Sequence, residues 1–148
     1  MTTALIDGDI VAFRSAASCQ SDIDWGDGFD GPTANFAAAV EKAKGMVRDW
    51  TALARCKDAL LCFSPADGVN FRRDLTTYKA HRTGAKPKVY WSVIEALTEE
   101  WPIRRMPRLE ADDVVGILHT SEVTDTVAVS IDKDFMTLPW MLLNPVKD

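Results

Sequence analysis

Histidine is almost missing from this 148-residue chain, which has two, and cysteine is scarce, with three. Cys19, Cys56 and Cys62 form no Cys-x-x-Cys pair and have no histidine at zinc-ligand spacing. The pattern is not that of a zinc site or a disulfide framework, and reduced structural thiols are expected. No apolar run approaches the roughly 20 residues that cross a bilayer. The opening Met-Thr-Thr-Ala-Leu-Ile-Asp also lacks the basic start and long apolar stretch of a secretory leader. A cytoplasmic location is expected. Repeats, low-complexity tracts and linkers are absent as well, and the length suits one hydrophobic core. A single domain over residues 1–148 is expected.

Acid is what the chain has in quantity, but the net charge of −5 conceals a segregation. Between Arg72 and Arg108 there are nine Lys/Arg against four acids, a balance of +5, while the remainder holds 8 basic and 18 acidic residues, a balance of −10. A basic middle beside an acidic remainder is what a phosphate-gripping segment next to a metal-holding pocket would produce, although a solvated charged face would give the same count.

Thr3 to Ile6 reads as a buried strand ending at Asp7-Gly8-Asp9, followed by a helix over residues 10–17. Residues 20–32 carry three glycines and four aspartates and read as a loop, with a helix starting at Pro32 and Thr33. A calcium loop of EF-hand type is excluded there, because the closing bidentate glutamate is lacking. From Thr33 to Cys56, apolar residues at Phe36, Val40, Ala43, Val47, Trp50 and Ala54 mark one face of a long helix. Ala59 to Phe63 reads as a second strand, turning through Ser64-Pro65-Ala66-Asp67-Gly68. After the basic stretch, helical spacing returns over residues 89–101, then a short strand over 103–106 and a helix opening at Leu109-Glu110-Ala111-Asp112-Asp113. Thr126 to Ile131 is a third apolar strand running into Asp132-Lys133-Asp134, and the stretch 140–148 has room for one more. Alternating strands and helices imply an α/β layered fold with a mostly parallel sheet, whose sites form beyond the carboxyl ends of the strands.

Asp7, Asp67, Glu110, Asp112, Asp113, Asp132 and Asp134 each fall at such a strand end or in the first turn of a following helix. One sheet would bring them to one rim. Any single one serves equally well as a helix cap or turn residue. Four separate segments with the same placement favour a site. Crowded carboxylates repel one another, and a divalent cation resolves that repulsion. All-oxygen donors favour Mg²⁺ or Mn²⁺. Seven carboxylates exceed the needs of one ion, so two are expected, at the roughly 4 Å separation that serves phosphodiester hydrolysis.

The segments Leu5-Ile6-Asp7-Gly8, Asp67-x-x-x-Phe71-Arg72, Tyr78-Lys79-Ala80-His81-Arg82, Glu110-Ala111-Asp112-Asp113 and Ser130-Ile131-Asp132-Lys133-Asp134-Phe135 together resemble the metal-binding and arch motifs of the 5′-3′ exonuclease and flap endonuclease family. That family includes bacteriophage exonucleases and the 5′-nuclease domain of bacterial DNA polymerase I. The resemblance runs from about residue 4 to 138. It implies a PIN-like three-layer fold with a short helical arch or strap over about residues 71–88, and a two-metal 5′ nuclease acting on DNA with a 5′ end, flap or nick. It assigns Asp7, Asp67, Glu110 and Asp112 to a first metal and Asp113, Asp132 and Asp134 to a second. Lys79 and Arg82 match the catalytic arch residues at the scissile phosphate, where a lysine stabilises phosphoryl charge and an arginine holds phosphate bidentately. Arg72, Arg73, Lys86 and Lys88 are expected to position the nucleic-acid backbone. Tyr78 either stacks on a base or packs.

Family members continue beyond the Asp-x-Asp motif into a helix-turn-helix-like DNA-binding segment that brings a further metal-site aspartate. This chain stops at Asp148, leaving the second metal group one ligand short. A second polypeptide, a fragment of a longer chain, and a minimal nuclease all fit that departure. So does a non-catalytic binding remnant. The Asp7-Gly8-Asp9 stretch also allows a phosphatase of the haloacid-dehalogenase type, for which Asp9 is essential. On the nuclease reading Asp9 stands outside the ligand set and its replacement by Asn is mild. DNA, RNA and a hybrid all remain open as substrate, as do exo and endo action.

Overall fold

The structure, a computed structural model, describes residues 2–24, 30–68, 86–121, 125–131 and 142–146. In chain order the elements are β1 (Thr3–Asp7), α1 (Gly8–Ser18), β2 (Gln20–Asp24), β3 (Asp30–Ala34), α2 (Phe36–Leu53), β4 (Asp58–Cys62), α3 (Tyr90–Thr98), β5 (Ile103–Arg104), α4 (Ala111–Thr120), β6 (Thr126–Val129) and β7 (Leu142–Leu143). Five strands form one sheet in the order β5-β4-β1-β6-β7, and every pairing in it is parallel.

The apolar run of β1 is buried on both faces, as a central parallel strand requires. Ala4 and Ile6 join a large core with Leu61, Phe63, Val127 and Val129 under α1, α2 and α3. Leu5, Cys62 and Ala128 alternate to the other face and meet Val114 and Val115 of α4. The result is three layers: three helices, the sheet, and one helix. Small residues on the contact faces, Ala12 and Ala16 of α1 with Ala39 and Ala43 of α2, let those helices approach closely. The expected stripe of the long helix therefore sits one step round from its largest members: Ala39, Ala43, Val47 and Trp50 are buried, while Phe36 is exposed.

One expectation is overturned. Residues 20–32 are not a loop feeding directly into a helix. Gln20–Asp24 and Asp30–Ala34 pair as an antiparallel ribbon, Asp22 opposite Pro32. Both strands of such a ribbon are edges, so a proline without an N–H is tolerated. The helix begins only at Phe36, because Asn35 caps it by accepting the Ala38 N–H at 3.0 Å.

Gly8 sits close against Phe63, just past the end of β4. A Cβ there would lie 2.5 Å from Cε1 and Cζ of Phe63. Among the described residues, no helix is long and apolar enough to cross a membrane.

Candidate metal centre

Because every strand of the main sheet runs the same way, the carboxyl ends of β1, β4 and β6 share one rim, with Asp7 level with Cys62 and Ile6 level with Val129. The N-terminus of α4 reaches the same pocket, a cavity of about 550 Å³ lined by Asp7, Asp9, Ser64, Tyr90, Glu110 and Asp112 among others.

Asp7 ends β1 and caps α1, its Oδ1 accepting the Ile10 N–H at 3.4 Å. It is 5% exposed, unusual for a carboxylate. On α4, Glu110 and Asp113 form a reciprocal capping box, with the Glu110 N–H donating to Asp113 Oδ2 at 3.2 Å. Asp112 Oδ1 accepts the Asp113 N–H at 2.9 Å. The cap thereby gathers three acids in one turn: carboxylate oxygens of Glu110, Asp112 and Asp113 lie within 4.8 Å of one another. Such an all-oxygen cluster fits a hard divalent cation. The helix N-terminus favours their negative charge but does not cancel the repulsion among them.

Of the seven expected metal residues, the structure brings Glu110, Asp112 and Asp113 into one cluster and sets Asp7 on the same pocket. Asp67 is exposed in the turn after β4 and is not among the residues lining the cavity. Asp132 and Asp134 lie outside the described residues, as do Arg72, Arg73, Tyr78, Lys79 and Arg82. Lys86 and Lys88 are described. Lys86 lines the pocket with its ammonium 5.1 Å from the Tyr90 ring centroid. The exposed Lys88 donates its backbone N–H to Gln20 Oε1 at 2.6 Å, fastening the end of the basic stretch to the ribbon. Arg14 adds a second cation to the pocket lining, unmarked in the sequence because it sits within the helical pattern of α1.

Two further groups of the pocket lie outside the expected ligand set. Asp9 points at the end of β4, where the Ser64 N–H and hydroxyl both donate to it. Burial raises the Asp9 carboxyl above its ordinary range, opposed by the Ser64 hydrogen bonds and by the charges of Lys86 and Arg105. Tyr90 is raised by burial first, then by Asp9 and Asp7. Beneath the pocket the Cys62 thiol is pushed up to about 12, by burial and then by Asp7.

The family description "5′-3′ exonuclease, N-terminal resolvase-like domain" matches residues 2–141. The exodeoxyribonuclease of Enterobacteria phage T3 is 29% identical over 145 residues, covering 91% of this chain and 48% of the phage protein. The exonuclease of Escherichia phage T7 is 28% identical over 145 residues, with the same 91% and 48% coverage. The chain thus spans about half the length of the curated relatives it matches. Among solved structures, the T5 D15 protein co-crystallized with metal ions aligns with 93% of this chain and 51% of its own, at 16% identity and a TM-score of 0.46. With the match extending over nearly all of its residues, the chain belongs to the 5′-3′ exonuclease family, as the N-terminal resolvase-like domain.

Proposed function

We propose that this chain is a metal-dependent nuclease that hydrolyses DNA phosphodiester bonds from or near a 5′ end, with the PIN-like arrangement of its family. The observation that carries the reading is the gathering of Glu110, Asp112 and Asp113 in one turn, with Glu110 and Asp112 lining a pocket together with Asp7, Lys86 and Arg14. A lining of both carboxylates and cations suits a divalent cation and the phosphate it binds.

Glu110, Asp112 and Asp113, with Asp7, would hold Mg²⁺ or Mn²⁺, a grouping that moves Asp113 from the second ion to the first, while Asp67 stays proposed for the first ion and Asp132 and Asp134 for the second. Bound there, a divalent cation supplies Lewis-acid polarisation of phosphoryl oxygen and a more acidic water. The chain's own cations do the rest. Lys86 at the pocket, with Lys79 and Arg82 of the arch, offsets phosphate charge, and Arg72, Arg73 and Lys88 grip flanking backbone. In the net reaction a water oxygen bonds to phosphorus as the bond to the departing sugar oxygen breaks. DNA bearing a flap or nick is the proposed substrate, and a second polypeptide is a proposed partner.

The test is cleavage of a labelled 5′-flap and a nicked duplex in Mn²⁺. The wild-type chain turns both over, and Asp112→Asn loses turnover while keeping its fold. Tight DNA binding by the wild type without any cleavage, at enzyme in excess of substrate, would establish a binding remnant instead.

A further inference from the structure

One carboxylate in the pocket is already occupied by the protein itself. Asp9, in the first turn of α1, takes the Ser64 backbone N–H at 3.2 Å on Oδ1 and 3.3 Å on Oδ2. The Ser64 hydroxyl donates to Oδ2, and the Tyr90 side chain adds another hydrogen bond. A carboxylate accepts about four such bonds, so Asp9 has little left to offer a cation.

Ser64 does not stop at Asp9. Its hydroxyl oxygen accepts the backbone N–H of Ala111 at 3.0 Å. Ala111 opens α4 and stands between Glu110 and Asp112. N–H groups in the first turn of a helix have no partner within it, and whatever satisfies them fixes where the helix starts. Glu110 and Asp113 satisfy each other, which sets the shape of the turn but not its place against the sheet. Val114 and Val115 hold the body of the helix on the sheet, and the Ala111 bond fastens its first turn. It joins the helix to the end of β4, and Asp9 holds the donating hydroxyl in line from α1. Chains of this kind strengthen link by link, because each bond polarises the next.

We propose that Asp9 and Ser64 are positioning residues that fix the Ala111 N–H and thereby the Glu110 and Asp112 carboxylates on either side of it. The inference rests on the reading that these carboxylates hold a divalent cation, and it raises the expected effect of Asp9→Asn above the mild one implied by the sequence. Partners that orient metal ligands from outside cost about 10- to 100-fold in affinity when removed.

The experiment is Mn²⁺ titration of the full chain by calorimetry, alongside amide exchange at Ala111 without metal. Ser64→Ala and Asp9→Asn are each expected to bind Mn²⁺ about tenfold more weakly. Their combination is expected to be no weaker than the worse single variant, since both cut one chain of bonds. Ser64→Thr, which keeps the hydroxyl, restores affinity. In metal-free Ser64→Ala the Ala111 amide exchanges about fivefold faster. Wild-type-like affinity in Ser64→Ala beside lost binding in Asp9→Asn would make Asp9 a ligand and overturn the proposal, as would unchanged Ala111 exchange. No Mn²⁺ uptake by the wild type, with the exchange effect present, would instead refute the metal reading and leave the Ser64 bond to α4 standing. Should Ser64→Ala fail to fold, Asp9→Asn against Ser64→Thr decides the matter by the same two readouts.

Discussion

Replacing Gly8 by alanine adds a single methyl group where the structure has no room for one. The new Cβ would meet Cε1 and Cζ of Phe63 at 2.5 Å and Cδ1 at 2.9 Å. Carbon atoms settle about 3.5–4.0 Å apart, so helix and ring must separate by about 1 Å. Phe63 is fully buried in the larger core, which leaves the ring little space for retreat. Overpacking of this kind costs about 1–3 kcal/mol. Alanine's advantage over glycine in a helix returns at most about 1 kcal/mol. The net expectation is a loss of about 1–2 kcal/mol, read as a lower urea midpoint at unchanged slope. Phe63→Leu, which removes the two closest atoms, Cε1 and Cζ, should make the same Gly8→Ala change cheaper by at least about 0.5 kcal/mol. Because Gly8 lies between Asp7 and Asp9, weaker Mn²⁺ binding should accompany the instability. Gly8→Ala as stable as the wild type, or strict additivity with Phe63→Leu, would refute the reasoning.

Three other outcomes are expected. Cys62, fully buried with its thiol pushed up to about 12, should resist alkylation at pH 8.5 until denaturant is added. The same group holds its proton more tightly when folded, so its contribution to stability is complete below its ordinary value of 9.0 and is lost as pH rises towards about 12. Thr126→Val should cost about 1–3 kcal/mol in thermal unfolding, because His119 Nδ1 lies 2.7 Å from the Thr126 hydroxyl and the buried Nε2 has no partner among the described residues. Lys79→Ala and Arg82→Ala should each reduce the slope of log DNA affinity against log salt by about one phosphate contact's worth, measured by fluorescence anisotropy.

The α/β layering was legible because the strands of a sheet covered on both faces are continuous apolar runs, and three such runs, at residues 3–6, 59–63 and 126–131, stand clear of their surroundings. The rim followed from direction alone: parallel strands put Asp7 and the end of β4 together whatever the loops do. The β2–β3 ribbon was illegible because glycine, aspartate and proline signal turns, and a two-stranded ribbon gives no alternation strong enough to outweigh them. Within the site, the acids of α4 could be recognised by their clustering. Asp9 and Ser64 could not, since their partnership spans 55 positions and neither residue type is rare in turns. Asp67 takes the strand-end position expected of it, and the turn leaves its side chain exposed.

The central place of β1 also bears on how the protein is made. Of the described elements this strand is synthesised first, yet its neighbours are Asp58–Cys62 on one side and Thr126–Val129 on the other. On the ribosome one of its edges stays open until nearly the whole described sequence has emerged, and pairings that distant form slowly. A nascent chain therefore holds Asp7 before the completed sheet can set it against α4. The arrival of β6 closes the second edge of β1, and chains broken off before that strand would offer an unpaired apolar edge to aggregation and to proteolysis.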